Sequence, residues 1–192
     1  MNKNYETELP DGYTEAYVID AVNAKTALHI NIASLIVAAV LIIVSALIIK
    51  PHDFFGEYSL ARNFILIAAV FVYIVLHELA HGAAYKIQTR CKLRLGFNLS
   101  VAYCGTPDIY VYRRCALIAL LTPFVLFIPV FLIPAFVFSN AWDRFCAMLL
   151  FSLHVSGCIG DLFDTFLYLF RFTSPDVLMR DTGPKQTFYT KP

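Results

Sequence analysis

The sequence predicts an all-α membrane protein of four transmembrane helices, with a short β-hairpin-like segment between the second and the third. Three observations carry that expectation. Of the 192 residues, 59% are hydrophobic and 15% charged, whereas soluble globular domains run nearer half apolar and a quarter charged. Four segments reach the roughly 20 mostly apolar residues that cross a bilayer as a helix. Between the second and third of them, Lys92–Tyr103 alternates polar and apolar residues with period two, the mark of a strand rather than a helix.

In chain order, residues 1–26 form a polar N-terminal segment carrying Glu6, Glu8, Asp11, Glu15 and Asp20. It lacks the basic-then-apolar order of a signal peptide, so no cleavage is expected. The first span covers 27–49 and stops at Lys50-Pro51; the second covers 64–87. After the alternating stretch, Cys104-Gly105-Thr106-Pro107-Asp108 supplies turn chemistry and Ile109–Tyr112 a second short strand candidate. The third span, 115–138, contains Pro123, Pro129 and Pro134, whose missing N–H groups leave carbonyls that neighbours must satisfy if the helix is to persist. Only Ser139–Arg144 separate it from the fourth span, 145–170, so the two form an antiparallel helical hairpin. Residues 171–192 are a polar tail, and the whole reads as one integral membrane domain.

Lysine and arginine set the orientation. With the N-terminus inside, twelve of them fall in cytoplasmic segments and three, Lys50, Arg62 and Arg144, fall outside, which places both termini in the cytoplasm. The formal charge of +1 gives no reason to invoke a nucleic-acid partner. The five cysteines are odd in number and lack a C-x-x-C pair, so neither a disulfide framework nor a cysteine metal site is indicated.

The second span contains His77-Glu78-Leu79-Ala80-His81. On a helix the two histidines stand at i and i+4, on one face and about 6 Å apart along the axis, so both imidazoles reach one metal ion. Glu78 projects beside them, where its carboxylate can take a proton from the attacking water; two nitrogen ligands and a general base make the zincin pattern. An ionisable residue at membrane depth costs about 2.5–3.5 kcal/mol, which argues against a chance match. His81 lies five residues before Lys86, roughly 7–14 Å below the cytoplasmic boundary, so the centre is expected to open to the cytoplasm.

Catalytic zinc usually has three protein ligands, and the fourth span offers candidates for the third. His154, Gly157, Asp161 and Asp164 share one helical face by their spacing. Counted back from Arg171, Asp164 lies about 10 Å deep, Asp161 about 15 Å and His154 about 25 Å. Both aspartates match the depth of His77 and His81. His154, lying deeper, is expected to be a hydrogen-bonding support or substrate contact rather than a ligand, and Asp164 takes the same role where Asp161 is the ligand. Gly157 and Gly160 are expected to let the fourth span approach the second closely. The alternating stretch offers either a strand edge for an extended peptide or an interfacial connector.

Together these residues resemble a family of small bacterial membrane proteins described as zincin peptidases. The likeness rests on HELAHG at His77–Gly82, the Gly96-Phe97 and Ala102-Tyr103-Cys104 region, Leu121-Thr122-Pro123, HVSGCIGDLF at His154–Phe163 and RDTGP at Arg180–Pro184. It covers most of the chain from the second span onward. More distantly, the layout is similar to site-2 proteases, with H-E-x-x-H on one span and an aspartate on a later one, although Gly160-Asp161 stands where their Asp-Gly motif is expected. The resemblance implies Asp161 as third ligand, Zn²⁺ as cofactor, a membrane-embedded or juxtamembrane peptide as substrate and the bacterial cell membrane as location; Asp164 is outside its pattern. Buried histidines and carboxylates also suit a metal or proton transporter, and an inactive membrane scaffold is a third reading. The hydrolase spacing and the intact Glu78 favour the peptidase over both.

Overall fold

A computed structural model of the chain describes residues 3–49, 60–97 and 102–191. Its helices are α1 (Ala24–Ile49), α2 (Leu60–Thr89), α3 (Arg113–Val137), α4 (Ala141–Gly157) and α5 (Ile159–Phe170). Its strands are β1 (Tyr5–Glu6), β2 (Thr14–Asp20), β3 (Arg94–Phe97), β4 (Ala102–Gly105), β5 (Tyr110–Tyr112), β6 (Leu178–Asp181) and β7 (Lys185–Thr190). By length and composition α1, α2 and α3 can each cross a membrane, and a fourth crossing results if α4 and α5 make one bent span.

The fourth span is therefore not the continuous helix the sequence suggests. Asn140 caps α4 by accepting a hydrogen bond from the Asp143 N–H, and the helix ends where the Cys158 N–H bonds the His154 carbonyl. Gly157 and Gly160 flank the break, each weakening a helix by about 1 kcal/mol relative to alanine. They do not provide the tight approach expected of them: a Cβ at Gly160 would meet no atom within 4 Å, and one at Gly157 only the Tyr73 hydroxyl at 3.9 Å. Helix α3, in contrast, runs unbroken through its three prolines.

The chain divides into two compact units. One comprises Ile30–Ile74 and Phe124–Gly160. Large apolar side chains such as Leu35 and Leu47 point outward from α1, as on a helix that is hydrophobic all round. Inside the unit, Ile49 and Trp142 are buried with Phe145 and Met148 against them. Arg62 donates to Asn140 Oδ1 at 2.8 Å and lies 3.6 Å from Asp143 Oδ1.

The other unit comprises Met1–His29, Val75–Pro123 and Asp161–Pro192, and holds a feature the sequence reading lacks. Both terminal segments enter an antiparallel five-stranded sheet, ordered β1-β5-β6-β7-β2. Its members are two to seven residues long, too short for periodicity to separate from loop. Their partners are also remote in sequence: Thr14 pairs with Thr190 and Tyr5 with Val111. Val111, Leu178, Met179 and Phe188 are fully buried, and the Phe188 ring packs 5.0 Å from those of both Tyr168 on α5 and Phe172 just beyond it.

The expected hairpin forms with a different partner. β3 pairs with β4, Leu95 opposite Cys104, while the 110–112 strand joins the larger sheet; Asn98–Val101 of the alternating stretch lie outside the described residues. The Tyr103 ring fills the space that a Cβ at Gly96 or at Gly183 would need. Gly183 also has φ +97°, a conformation that only glycine adopts freely.

Candidate metal centre

Helix α2 brings His77 and His81 one turn apart, both buried, and the first turn of α5 presents Asp161 to them. The two imidazole Nε2 atoms are 3.2 Å apart, and each lies 3.4 Å from Asp161 Oδ2. In a tetrahedral zinc site with bonds of about 2.0–2.1 Å, neighbouring ligand atoms stand about 3.3–3.4 Å apart. The three edges of this triangle match one face of that tetrahedron. Two neutral nitrogens and one carboxylate oxygen are also the donor set of hydrolytic zinc.

The protonation pattern of His81 agrees with ligation. Its Nδ1 lies 2.9 Å from the main-chain carbonyl of Ala119 on α3; a carbonyl only accepts, so Nδ1 carries a proton, and Nε2 is the atom whose lone pair the neutral ring would offer a metal. Glu78 stands outside the three-residue cluster. It follows His77 by one residue, about 100° of helical rotation, and accepts a hydrogen bond from the main-chain N–H of Cys104 on β4. The hairpin thus holds the carboxylate beside the two histidines rather than among them.

Asp164, the other aspartate at matching depth, is not in the cluster. It is buried, and its Oδ1 has no hydrogen-bond partner among the described residues, as is true of Thr165 Oγ1 and Tyr168 Oη on the same helix. His154 belongs to the other unit. There its Nδ1 meets the Tyr73 hydroxyl at 2.8 Å, its Nε2 the Phe124 carbonyl at 3.1 Å, and the rings of Phe127 and Phe131 enclose it.

Three further contributors were not legible beforehand. The Ala119 carbonyl is a main-chain group with no sequence signature. Cys104 packs against the motif itself: a Cβ on Gly82 would lie 2.8 Å from its Sγ, and burial, with the charges of Glu78 and Asp181, pushes its thiol up to about 12. It therefore stays protonated and is no thiolate ligand. Tyr85, a turn beyond His81, donates a 2.9 Å hydrogen bond to Asp181 Oδ2. The other Asp181 oxygen accepts from the Gly183 N–H, and its main-chain carbonyl accepts from the Thr106 N–H. Asp181 thereby ties α2 and the end of β4 to the C-terminal hairpin. The i+4 spacing of His81 and Tyr85 was the one available signal.

Apolar helices, and on one of them two histidines that meet an aspartate as a group able to hold a metal ion, define the site. The family model described as "Putative zincin peptidase" matches residues 70–175, and the chain belongs to that family. No curated protein and no solved structure matches it.

Proposed function

We propose that this protein is a zinc-dependent peptidase that hydrolyses peptide bonds within or next to the membrane. The observation that carries the proposal is the triangle of His77, His81 and Asp161 at zinc spacing with Glu78 beside it. Zinc, when bound, would polarise a peptide carbonyl and bring the pKa of water toward neutrality. His77 and His81 turn their Nε2 atoms toward the cluster, and Asp161 contributes a carboxylate oxygen. Glu78 receives the proton of the attacking water on its carboxylate and delivers it to the leaving amine. Cys104, through its main-chain N–H, keeps that carboxylate turned to the site.

The substrate we propose is an unwound membrane-embedded or juxtamembrane segment. Among the described residues the β3–β4 sheet has only these two strands, and a segment added alongside β4 would pass close to Glu78. The positive-inside distribution supports a cytoplasmic opening, and the family likeness a bacterial cell membrane.

The test uses detergent-purified protein, with metal content measured beside cleavage of a panel of quenched-fluorescence apolar peptides in micelles. Wild type should bind zinc and cleave. Glu78→Gln should retain zinc and lose about 10²–10⁴-fold in rate, and His77→Ala should lose both. Zinc moved across proteoliposomes without peptide cleavage would establish a transporter instead; no bound metal and no cleavage would leave a scaffold.

A further inference from the structure

Helix α3 is continuous from Arg113 to Val137, yet contains Pro123. A proline has no N–H, so the carbonyl four residues before it loses its helical hydrogen bond. For Pro123 that carbonyl belongs to Ala119, the group that accepts from His81 Nδ1 at 2.9 Å. Both Ala119 and Pro123 are fully buried, where water is not at hand to replace the lost donor, and a buried carbonyl left unpaired is destabilising.

We propose that Pro123 is a positioning residue for the metal centre: by removing the N–H at its own position, it reserves the Ala119 carbonyl for His81. The consequences follow in order. The reserved carbonyl fixes the proton on Nδ1, which leaves the Nε2 lone pair toward His77 and Asp161. It also fixes the rotation of the imidazole about α2, since a ring anchored at Nδ1 has one direction left for Nε2. An ordinary residue at position 123 would return a donor to Ala119, and its carbonyl would then divide between two partners. The inference rests on the zinc reading of the cluster, but the hydrogen-bond exchange it describes exists without metal.

The experiment therefore has two readouts, on Pro123→Val, which keeps apolar bulk, and Pro123→Ala. Pro129→Ala is the control, as an exposed proline of the same helix. In metal-free protein with ¹⁵N-labelled histidine, at a pH where the His81 ring is neutral, the wild-type His81 signals should report a protonated Nδ1; in both Pro123 variants that preference should relax, while the control keeps it. Zinc affinity should fall about 10- to 100-fold in the Pro123 variants, the range seen when an orienting partner of a metal ligand is lost, and stay at the wild-type value in Pro129→Ala. An unchanged His81 tautomer in both Pro123 variants overturns the inference, as does an equal loss of affinity in the control. If wild type binds no zinc at all, the peptidase reading fails, and the tautomer measurement still decides the role of Pro123.

Discussion

His77 Nε2 stands 3.4 Å from Asp161 Oδ2, a contact between the middle of α2 and the first turn of α5 that exists only in the folded chain. A metal bound there prefers the folded state, and its binding free energy adds to stability by mass action. With free zinc at about 100 times Kd, the gain is about 2.7 kcal/mol. Zinc should therefore raise the thermal midpoint of the detergent-solubilised wild type, as followed by intrinsic fluorescence. Asp161→Ala removes one of the three proposed ligands, so the shift should vanish at the same zinc concentration. Asp164→Ala should keep most of it. Should the two variants exchange these outcomes, Asp164 would be the ligand.

The sheet makes a prediction about crossing number. β1 and β2 precede α1, β5 lies between α2 and α3, and β6 and β7 follow α5, yet all five share one hydrogen-bonded ladder. A bilayer core offers no room for an open sheet edge, so if the apolar helices cross a membrane these stretches should lie on one side and the intervening helices should cross in pairs. α1 and α2 make one pair; α3 with the bent α4–α5 makes the other. With the termini inside, twelve of the fifteen Lys and Arg residues would face the cytoplasm. Reporters fused after Asp20 and after Pro192 should both be active inside the cell, and one inserted at Lys50 only outside it. Opposite sides for the two termini would reject the paired crossing.

How far the sequence reached depended on the range of each interaction. His77, Glu78 and His81 were legible because helical geometry fixes i, i+4 relations locally. Asp161 was one of two candidates at suitable depth, and the family resemblance favoured it; in the folded α5 Asp161 stands in the first turn, grouped with the histidines, while Asp164 is buried a turn further on. The terminal strands escaped notice since β2 and β7 define each other across nearly the whole chain. The break at Cys158 leaves no mark in the sequence, because the apolar run continues through it unchanged and hydropathy does not register a change in helix direction.

Gly82, the last residue of the HELAHG run, tests how closely the hairpin must sit. A Cβ there would come 2.8 Å from Cys104 Sγ and 3.2 Å from Leu93 Cδ1. Gly82→Ala gains about 1 kcal/mol in helix propensity and loses about 1–3 kcal/mol to overpacking, so its net effect on stability should be small or unfavourable. Its effect on activity should be larger, because the strand it displaces carries the N–H that holds Glu78. Cys104→Ala removes the obstructing sulfur and should restore activity in the double variant. A Gly82→Ala protein with unchanged rate would show that the hairpin position does not govern Glu78.

Asp181 supplies a pH dependence lying outside the helices. Burial, the foremost cause, pushes its carboxyl up to about 6 from the usual 3.8, against the opposing hydrogen bonds from Gly183 and Tyr85. Between those two values the folded chain binds more protons than the unfolded one, so stability falls as pH rises through this window and levels off above about 6. A difference of about two units corresponds to about 3 kcal/mol at 1.36 kcal/mol per unit. Asp181→Asn keeps a polar group of the same shape but does not ionise, so it abolishes this contribution. Across pH 4 to 7, the thermal midpoint of the wild type should decline relative to that of Asp181→Asn, with most of the difference developing below pH 6. Tyr85→Phe, which removes a donor to the carboxylate, should shift the decline to higher pH. Parallel profiles for wild type and Asp181→Asn would mean that the buried carboxyl titrates as it does in the unfolded chain, and that its bonds to Tyr85 and Gly183 offset the whole cost of burial.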